Sequence, residues 1–151
     1  MRVFDWLFRR KQHKPSPPWE RTMPPVPETE DAYVDGDGRR HRADAPYLLP
    51  KDLQEVRRLD YQHFILRQVL KGNCFAPVHD LLTQGSHVLD VGCGTGRWGQ
   101  EIALAYPQSQ VIGLDLEAVP RTSSTPLNYQ FVPGNLLHGL PFANGTFGYV
   151  H

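Results

Sequence analysis

The strongest constraint on the fold is a glycine-rich loop that joins two different apolar patterns. Residues 87–91 read His-Val-Leu-Asp-Val, and glycines follow at positions 92, 94 and 96. Residues 97–105 have helical spacing, and residues 110–115 form a second apolar run that ends in an acid. Short, almost continuous apolar runs are typical of parallel strands that are buried on both faces. The pattern therefore predicts a strand–helix–strand unit in an α/β fold.

Two more strands are predicted downstream of this unit. Residues 129–132 read Tyr-Gln-Phe-Val, and residues 146–150 read Thr-Phe-Gly-Tyr-Val after an Asn-Gly turn. Both runs are rich in β-branched and aromatic residues and have turn residues beside them, as strands do. Together the four strands predict a Rossmann-like parallel sheet with flanking helices.

A helix is predicted upstream of the sheet. Asp52 followed by Glu55 has the spacing of a capping box, and Gly72 and Asn73 end the helical pattern. The apolar positions with near-helical spacing are Leu53, Val56, Leu59, Leu66 and Leu70. Arginines at 57, 58 and 67 suit a solvated face, so we expect an amphipathic helix of about five turns. A short second helix is predicted around residues 77–82.

The segment before this helix has the composition of a disordered chain. Residues 14–46 are poor in aliphatic side chains and rich in proline, followed by acids. Such a segment cannot bury enough apolar surface to offset its ordering entropy. We therefore predict a disordered tail over residues 1–46 and a partial domain over residues 47–151. Within the tail, residues 3–8 could form a short amphipathic helix, but one or two turns are marginal alone and a frayed terminus is favoured.

Composition excludes several classes of partner. The chain has 16 basic and 16 acidic residues, so no overall field draws it toward nucleic acid or an anionic membrane. No apolar run approaches the roughly 20 residues of a membrane span. With only two cysteines and no signal peptide, the expected location is the cytoplasm.

The glycine loop predicts a bound ligand but leaves its class open. Glycines let a backbone approach a ligand closely, and the helix N-terminus that follows suits a phosphate or a carboxylate. Residues 94–99 fit the dinucleotide pattern G-x-G-x-x-G, and Asp115 follows at about 20 residues. A nicotinamide or flavin enzyme is therefore a competitor. Asp90, placed just before the loop, favours instead a zwitterionic, sulfonium-bearing ligand, because a fixed negative charge gains nothing near a pyrophosphate.

Several segments of the sequence together resemble a known family. Residues 88–96, Val-Leu-Asp-Val-Gly-Cys-Gly-Thr-Gly, resemble motif I of class I S-adenosylmethionine-dependent methyltransferases. Residues 111–115 are similar to that family's second strand with its terminal acid, and residues 134–151 to its third and fourth motifs. Residues 47–63 resemble the leader helix of a subgroup found in bacteria and in fungal secondary-metabolism regulators. The resemblance covers residues 47–151.

The resemblance implies S-adenosylmethionine as cofactor and assigns residues to it. Gly92, Gly94 and Gly96 would hold the methionine part through their backbone, with Asp90 steadying the loop or the amino group. Asp115 would accept both ribose hydroxyls as a bidentate carboxylate. The other residues implied at the cofactor are Cys93 in the loop, Leu116 after the second strand, Asn135 and Leu136 at the adenine, and Tyr47 as a lid or an anchor of the leader helix. No metal is implied.

The acceptor side of the reaction is much less defined. The family's strand-four acid is replaced by Gly148, which weakens any expectation about the acceptor. His63, His138 and His151 are the nearby imidazoles, but a single histidine is more often a packing residue, and we assign no catalytic residue. We expect a small-molecule acceptor. Because the sequence stops after strand four, we also expect a truncated domain whose activity is in doubt. A nicotinamide-dependent oxidoreductase and a non-catalytic scaffold stay as alternatives.

Overall fold

A computed structural model describes residues 32–43, 49–116 and 123–151. Its main feature is a parallel sheet of four strands flanked by helices, preceded by a separate two-stranded hairpin. The elements, in chain order, are strands β1 (Ala32–Val34) and β2 (Arg40–Arg42), helices α1 (Leu53–Leu70) and α2 (His79–Gln84), β3 (His87–Val91), α3 (Arg97–Ala105), β4 (Gln110–Asp115), β5 (Tyr129–Pro133), a 3-10 turn (Leu136–His138) and β6 (Tyr149–Val150).

The parallel sheet confirms the predicted α/β fold. Its strand order is β5-β4-β3-β6, so the first strand of the glycine unit lies in the middle and the last strand lies at an edge. Strands β3 and β4 pair in register from His87 with Gln110 to Val91 with Leu114. Both strands have the bounds that the sequence predicts, and so does α3. The predicted strand at 146–150 is shorter, because only Tyr149 and Val150 pair with β3.

The core lies on both faces of this sheet. On the α3 face, the buried side chains are Leu82, Val88, Trp98, Ile102, Ala103, Val111 and Tyr129. On the opposite face they are Leu89, Ile112, Leu114 and Val132, with Phe142 and Phe147 against them. Strand residues that are buried on both faces explain why the sequence of β3 and β4 is apolar without alternation. The sheet therefore sets the positions of the loops at its carboxyl edge.

Helix α1 begins as predicted but packs differently. Asp52 caps it by accepting the Glu55 N–H at 2.9 Å, and it ends at Lys71, which adopts a left-handed conformation with φ of 56° before Gly72. The prediction of a buried apolar stripe is wrong. Leu53 is 75% exposed, and the side chains of Val56, Leu66 and Leu70 are exposed too. The physical reason is that α1 contacts α3 through polar residues such as His63 and Arg67, while among the apolar positions Leu59 lies against the glycine loop.

Within the tail that the sequence predicts to be disordered, residues 32–43 form a hairpin. Strands β1 and β2 pair antiparallel, with Tyr33 opposite His41. The turn between them is held by Asp35, whose Oδ1 accepts the Arg39 N–H at 2.8 Å and whose Oδ2 lies 2.8 Å from His41 Nε2. Composition gave no sign of this hairpin, because hydrogen bonds rather than apolar burial stabilise it. The rest of the predicted tail lies outside the described residues.

Helix α2 begins two residues later than the short helix predicted from residue 77. Across the described ranges, every helix is too short or too polar to cross a membrane.

Candidate functional site

The carboxyl ends of β3 and β4 place the two predicted acids beside the glycine loop. Asp90 lies in β3 and Asp115 ends β4. Between them the loop bends back on the sheet, because the N–H groups of Gly92 and Cys93 both donate to the Leu114 carbonyl, at 2.7 and 3.1 Å. The Gly94 N–H donates to Asp115 Oδ2 at 2.7 Å. A charge-assisted hydrogen bond therefore ties the loop to the strand-end acid.

The glycines of the loop have two different functions. Gly92 and Gly94 have φ of 71° and 54°. Among the described residues, the only atom within 4 Å of a Cβ built at either position is Leu59 Cδ1, 3.6 Å from the Cβ position of Gly94. These two glycines leave open space on this side of the loop. Gly96 is different, because a Cβ there would collide with the Tyr129 hydroxyl. The missing side chain at Gly96 thus makes room for the core, not for a ligand.

Tyr129 is the residue around which the underside of the loop is built. Its ring enters from β5 and occupies the places that side chains at Gly96, Gly99 and Gly113 would take. Gly99 is the last glycine of the dinucleotide-like pattern, so packing against Tyr129 accounts for it without a pyrophosphate. Burial raises the pKa of the Tyr129 hydroxyl far above its ordinary value.

Cys93 belongs to this underside as well. Its Sγ lies 3.9 Å from the Tyr129 hydroxyl, and its own N–H is already bonded to Leu114. Burial raises the pKa of the Cys93 thiol to about 12, with Asp90 and Asp115 adding to the shift. The side chain is therefore a neutral filler beneath the loop, and it does not line the cavity described below.

Asp90 is the buried polar group of the site. Its side chain lies behind the loop, with only 4% of the residue exposed. Within the described residues, Oδ2 has no hydrogen-bond partner. Burial, and secondarily the charge of Asp115, raises the pKa of Asp90 to about 7. An unpartnered buried carboxylate oxygen is costly, so a cationic or hydrogen-bonding ligand group would be accommodated there.

A cavity of about 730 Å³ reaches the loop from the side of the hairpin. Its inner wall is formed by Gly94, Thr95 and Asp115. Its outer wall consists of residues 37–40 of the hairpin, residues 50–53, and the first turns of α1 as far as Leu59. The cavity is thus built from two parts of the chain that are distant in sequence.

Arginines of the hairpin attach it to the start of α1 and to the end of β4. Arg39 Nη2 donates to Asp52 Oδ1 at 3.1 Å, and its Nε donates to the other oxygen of the same carboxylate. Asp52 therefore caps α1 and binds the hairpin at once, which lowers its pKa to about 2. On the other side, Arg42 Nη1 donates to the Leu116 carbonyl at 3.0 Å. The hairpin consequently spans the cavity from the start of α1 to the end of β4.

The residues predicted at the adenine lie after β5. Asn135 Oδ1 accepts the Leu137 N–H at 2.9 Å and so caps the 3-10 turn. The amide oxygen expected to meet the adenine edge is therefore already engaged. Leu136 is half exposed beside it. Tyr47 lies outside the described residues.

Comparison with known proteins identifies this arrangement of loop and acids. Residues 88–151 match a family described as the methyltransferase domain. These residues belong to the class I methyltransferases. The resemblance drawn from the glycine loop and the strand-end acid is thereby confirmed.

Relatives of the methyltransferase domain extend the similarity upstream. Methyltransferase str2 of Strobilurus tenacellus is 33% identical over 106 residues, which are 70% of this chain and 37% of the relative. The secondary metabolism regulator laeA of Aspergillus flavus is 37% identical over 103 residues, 66% of this chain and 27% of the relative. A solved structure of PKMT2 from Rickettsia typhi in complex with AdoHcy has a TM-score of 0.36 at 28% identity, covering 46% of this chain and 14% of that one. The chain thus spans well under half of these relatives.

Gly148 stands where the family has an acid, and it lies far from the glycine loop. Its N–H donates to the His87 carbonyl at 3.0 Å, so it lies at the amino end of the sheet, opposite the glycine loop. A Cβ at this position would collide with Ser86 Oγ. The change from acid to glycine is therefore a matter of packing at that far edge.

The three histidines occupy different surroundings. His63 Nε2 lies 3.3 Å from Glu101 Oε2, on the contact between α1 and α3. His151 stacks on Trp98 with ring centroids 3.8 Å apart, and burial lowers its pKa, with His63 adding to the shift. His138 is exposed at the end of the 3-10 turn. These contacts explain His63 and His151 structurally, as expected for packing residues.

Sequence reasoning missed two residues of the site. Tyr129 appeared only as a strand residue, although glycines at 96, 99 and 113 are a signal that something large packs against them. Asp60 appeared only within the leader helix, yet its Oδ1 accepts the Thr95 hydroxyl at 2.7 Å. Nothing local to Asp60 predicts this contact, because it joins residues 35 positions apart.

Proposed function

We propose that this methyltransferase domain binds S-adenosylmethionine at the carboxyl edge of its sheet, and that the protein transfers the methyl group to a small-molecule acceptor. The observation that carries the proposal is the glycine loop itself. It has two open, positive-φ glycines, a strand-end acid hydrogen-bonded to its backbone, and a buried carboxylate oxygen without a described partner.

The residues around the loop suit the parts of this cofactor. The open glycines, Gly92 and Gly94, leave space against which the methionine part of the cofactor would lie, close to the N-terminus of α3. Asp90 supplies a buried negative charge for the ammonium. Asp115 offers its carboxylate to the ribose hydroxyls, which would share it with the Gly94 N–H. Gly96 and Cys93 contribute from beneath by fixing the loop.

The adenine is assigned to the residues that follow β4 and β5. Leu116 and Leu136 provide apolar contact, while Asn135 orders the 3-10 turn and so positions its backbone N–H groups. Tyr47 completes the assignment as a residue that covers the cofactor or anchors the leader helix.

Methyl transfer requires mainly that the protein position the acceptor and exclude water from the site. S-adenosylmethionine supplies a methyl group on a sulfonium, which is already a strong electrophile. The chain's own residues would bind the cofactor and exclude water, so that an acceptor approaches in line. No residue is assigned as a general base.

Both cysteines are unpaired, which supports the further proposal that the protein acts in the cytoplasm.

Calorimetric titration tests the cofactor assignment. The 151-residue chain should bind S-adenosylhomocysteine and should not bind NADH. Binding of NADH alone would instead favour the oxidoreductase. Binding of neither ligand by a folded chain would favour a scaffold. Methyl transfer is then assayed with radiolabelled S-adenosylmethionine and a panel of small molecules.

A variant of the strand-end acid tests the site. Asp115→Ala should weaken S-adenosylhomocysteine binding by about 1 to 3 kcal/mol, because charged hydrogen bonds to the ribose are lost. The matched control is Asp80→Ala, which removes an exposed acid on α2. Equal affinity of both variants would remove Asp115 from the site.

A further inference from the structure

Helix α1 crosses directly over the glycine loop. Leu59 Cδ1 lies 3.6 Å from the point where a Cβ on Gly94 would stand. The next residue, Asp60, turns its carboxylate toward the loop and the start of α3. Residues of the leader helix, which lies outside the family match at 88–151, therefore reach the ligand-binding loop.

Asp60 binds the loop with both carboxylate oxygens. Oδ1 accepts the Thr95 hydroxyl at 2.7 Å, and Oδ2 accepts from Arg97 Nη2 at 3.2 Å. The Arg97 guanidinium offsets the charge of Asp60 beside the helix N-terminus. The same carboxylate thus fixes the middle of the loop and the first residue of α3.

Thr95 is the point at which the loop can be held. It stands between Gly94 and Gly96, both of which have positive φ. Glycines at such positions have a large conformational freedom that must be lost when a ligand binds. Thr95 is the only side chain between them, so a hydrogen bond to its hydroxyl restricts the loop before the ligand arrives. Asp115 holds the neighbouring Gly94 N–H from the opposite side.

We infer that Asp60 is a positioning residue of the cofactor site, which preorganises the glycine loop through the Thr95 hydroxyl. The inference rests on the proposed binding of S-adenosylmethionine at this loop. Preorganisation raises affinity because the ordering cost is met in the free protein. Asp60 itself does not line the cavity, so it would act through Thr95.

A second polar contact between α1 and α3 provides the control. Two turns along α1 from Asp60, Arg67 Nη1 lies 3.1 Å from Glu101 Oε2, about one turn further along α3 than Arg97. A residue that merely attaches α1 to α3 should behave like Arg67. A residue that orders the loop should not.

The experiment compares affinities for S-adenosylhomocysteine in the full chain by calorimetry. Asp60→Ala and Thr95→Val should each weaken binding about tenfold, the size expected for one net hydrogen bond. Thr95→Ser, which keeps the hydroxyl, should bind like the wild type. Arg67→Gln should also bind like the wild type. The double variant D60A/T95V should lose no more affinity than Asp60→Ala alone, because Asp60→Ala already removes the hydrogen bond to the Thr95 hydroxyl.

Each outcome decides between explanations. If the wild type fails to bind, the proposed function is overturned before Asp60 is tested. If the wild type binds and Asp60→Ala binds equally, or if Arg67→Gln loses as much as Asp60→Ala, Asp60 only attaches the helix and the inference fails. If Asp60→Ala does not fold, Thr95→Val against Thr95→Ser repeats the test in the glycine loop, and equal affinity of these two overturns the inference.

Discussion

In the parallel sheet, Val88, Leu89 and Val132 have no exposed surface, and apolar contact on both faces holds the strands. In the segment upstream of it, the hairpin and α1 attach through Arg39, Asp60 and Glu101, while apolar residues such as Val69 are exposed. Among the described residues, these two regions meet at the cavity, along α3, and at Leu116, whose carbonyl accepts from Arg42. The sheet thus supplies the frame of the site, and the upstream segment supplies one wall through polar contacts.

The two regions should therefore respond differently to amino-acid substitutions. Apolar burial is non-directional and large, so the sheet tolerates some loss of geometry but little loss of volume. Polar contacts depend on direction and contribute little when they are exposed to water. The upstream segment should therefore affect the site more than it affects the stability of the chain.

The largest effect is expected inside the sheet. Leu89→Ala removes a fully buried side chain from the middle strand. The free energy of unfolding should fall by about 2 to 5 kcal/mol, because a cavity is left among packed neighbours. Urea titration followed by circular dichroism measures the change. A loss below 0.5 kcal/mol would mean that the sheet is not the main source of stability.

The next largest effect is expected for the packing beneath the glycine loop. Gly113→Ala places a Cβ against the Tyr129 hydroxyl and 2.8 Å from Cys93 Sγ. Overpacking of this kind costs about 1 to 3 kcal/mol of unfolding free energy, measured by the same titration. Adding Tyr129→Phe should recover part of the loss. If the double variant is less stable than Gly113→Ala, the hydroxyl is not what the glycine accommodates.

Asp90 is the polar exception within the sheet, and pH tests it. With its pKa raised to about 7, Asp90 is mostly protonated at pH 6 and mostly ionised at pH 8. If the ionised form binds the cofactor ammonium, affinity for S-adenosylhomocysteine should rise about tenfold between these values. Asp90→Asn should show a flat profile by calorimetry. The same slope in both proteins would assign the pH dependence to another group.

The same shift has the opposite consequence for the free protein. The folded pKa lies above the unfolded value of about 3.9, so the folded state holds the proton more tightly. That contribution to stability is present at low pH and is lost as pH rises through about 7.

The smallest effect is expected on α1. Val69 is 71% exposed, so Val69→Ala should change the free energy of unfolding by less than about 0.5 kcal/mol. Urea titration beside Leu89→Ala gives a direct comparison of the two regions. A loss comparable to that of Leu89→Ala would show that the apolar face of α1 is covered in solution.

Much of the sheet was predictable, because each element carries its own pattern. The bounds of β3, α3 and β4 follow from apolar runs, the glycines and the strand-end Asp115. The hairpin was not predictable, since Asp35, Arg39 and His41 stabilise it by hydrogen bonds that composition does not record. For α1, the caps were readable at Asp52, but which face would be buried depends on a neighbour.

For the site, local sequence patterns establish which residues lie together at the carboxyl edge of the sheet. They are glycines that allow close approach and acids at the ends of two neighbouring strands. Local spacing is enough for this, because parallel strands must end at the same edge. The contacts that each of these residues makes depend on the tertiary structure. It turned Gly96 and Cys93 toward Tyr129, engaged the Asn135 oxygen in a turn, and brought Asp60 to Thr95. These contacts join residues that are distant along the chain, and no local pattern encodes the partner of a side chain across a fold.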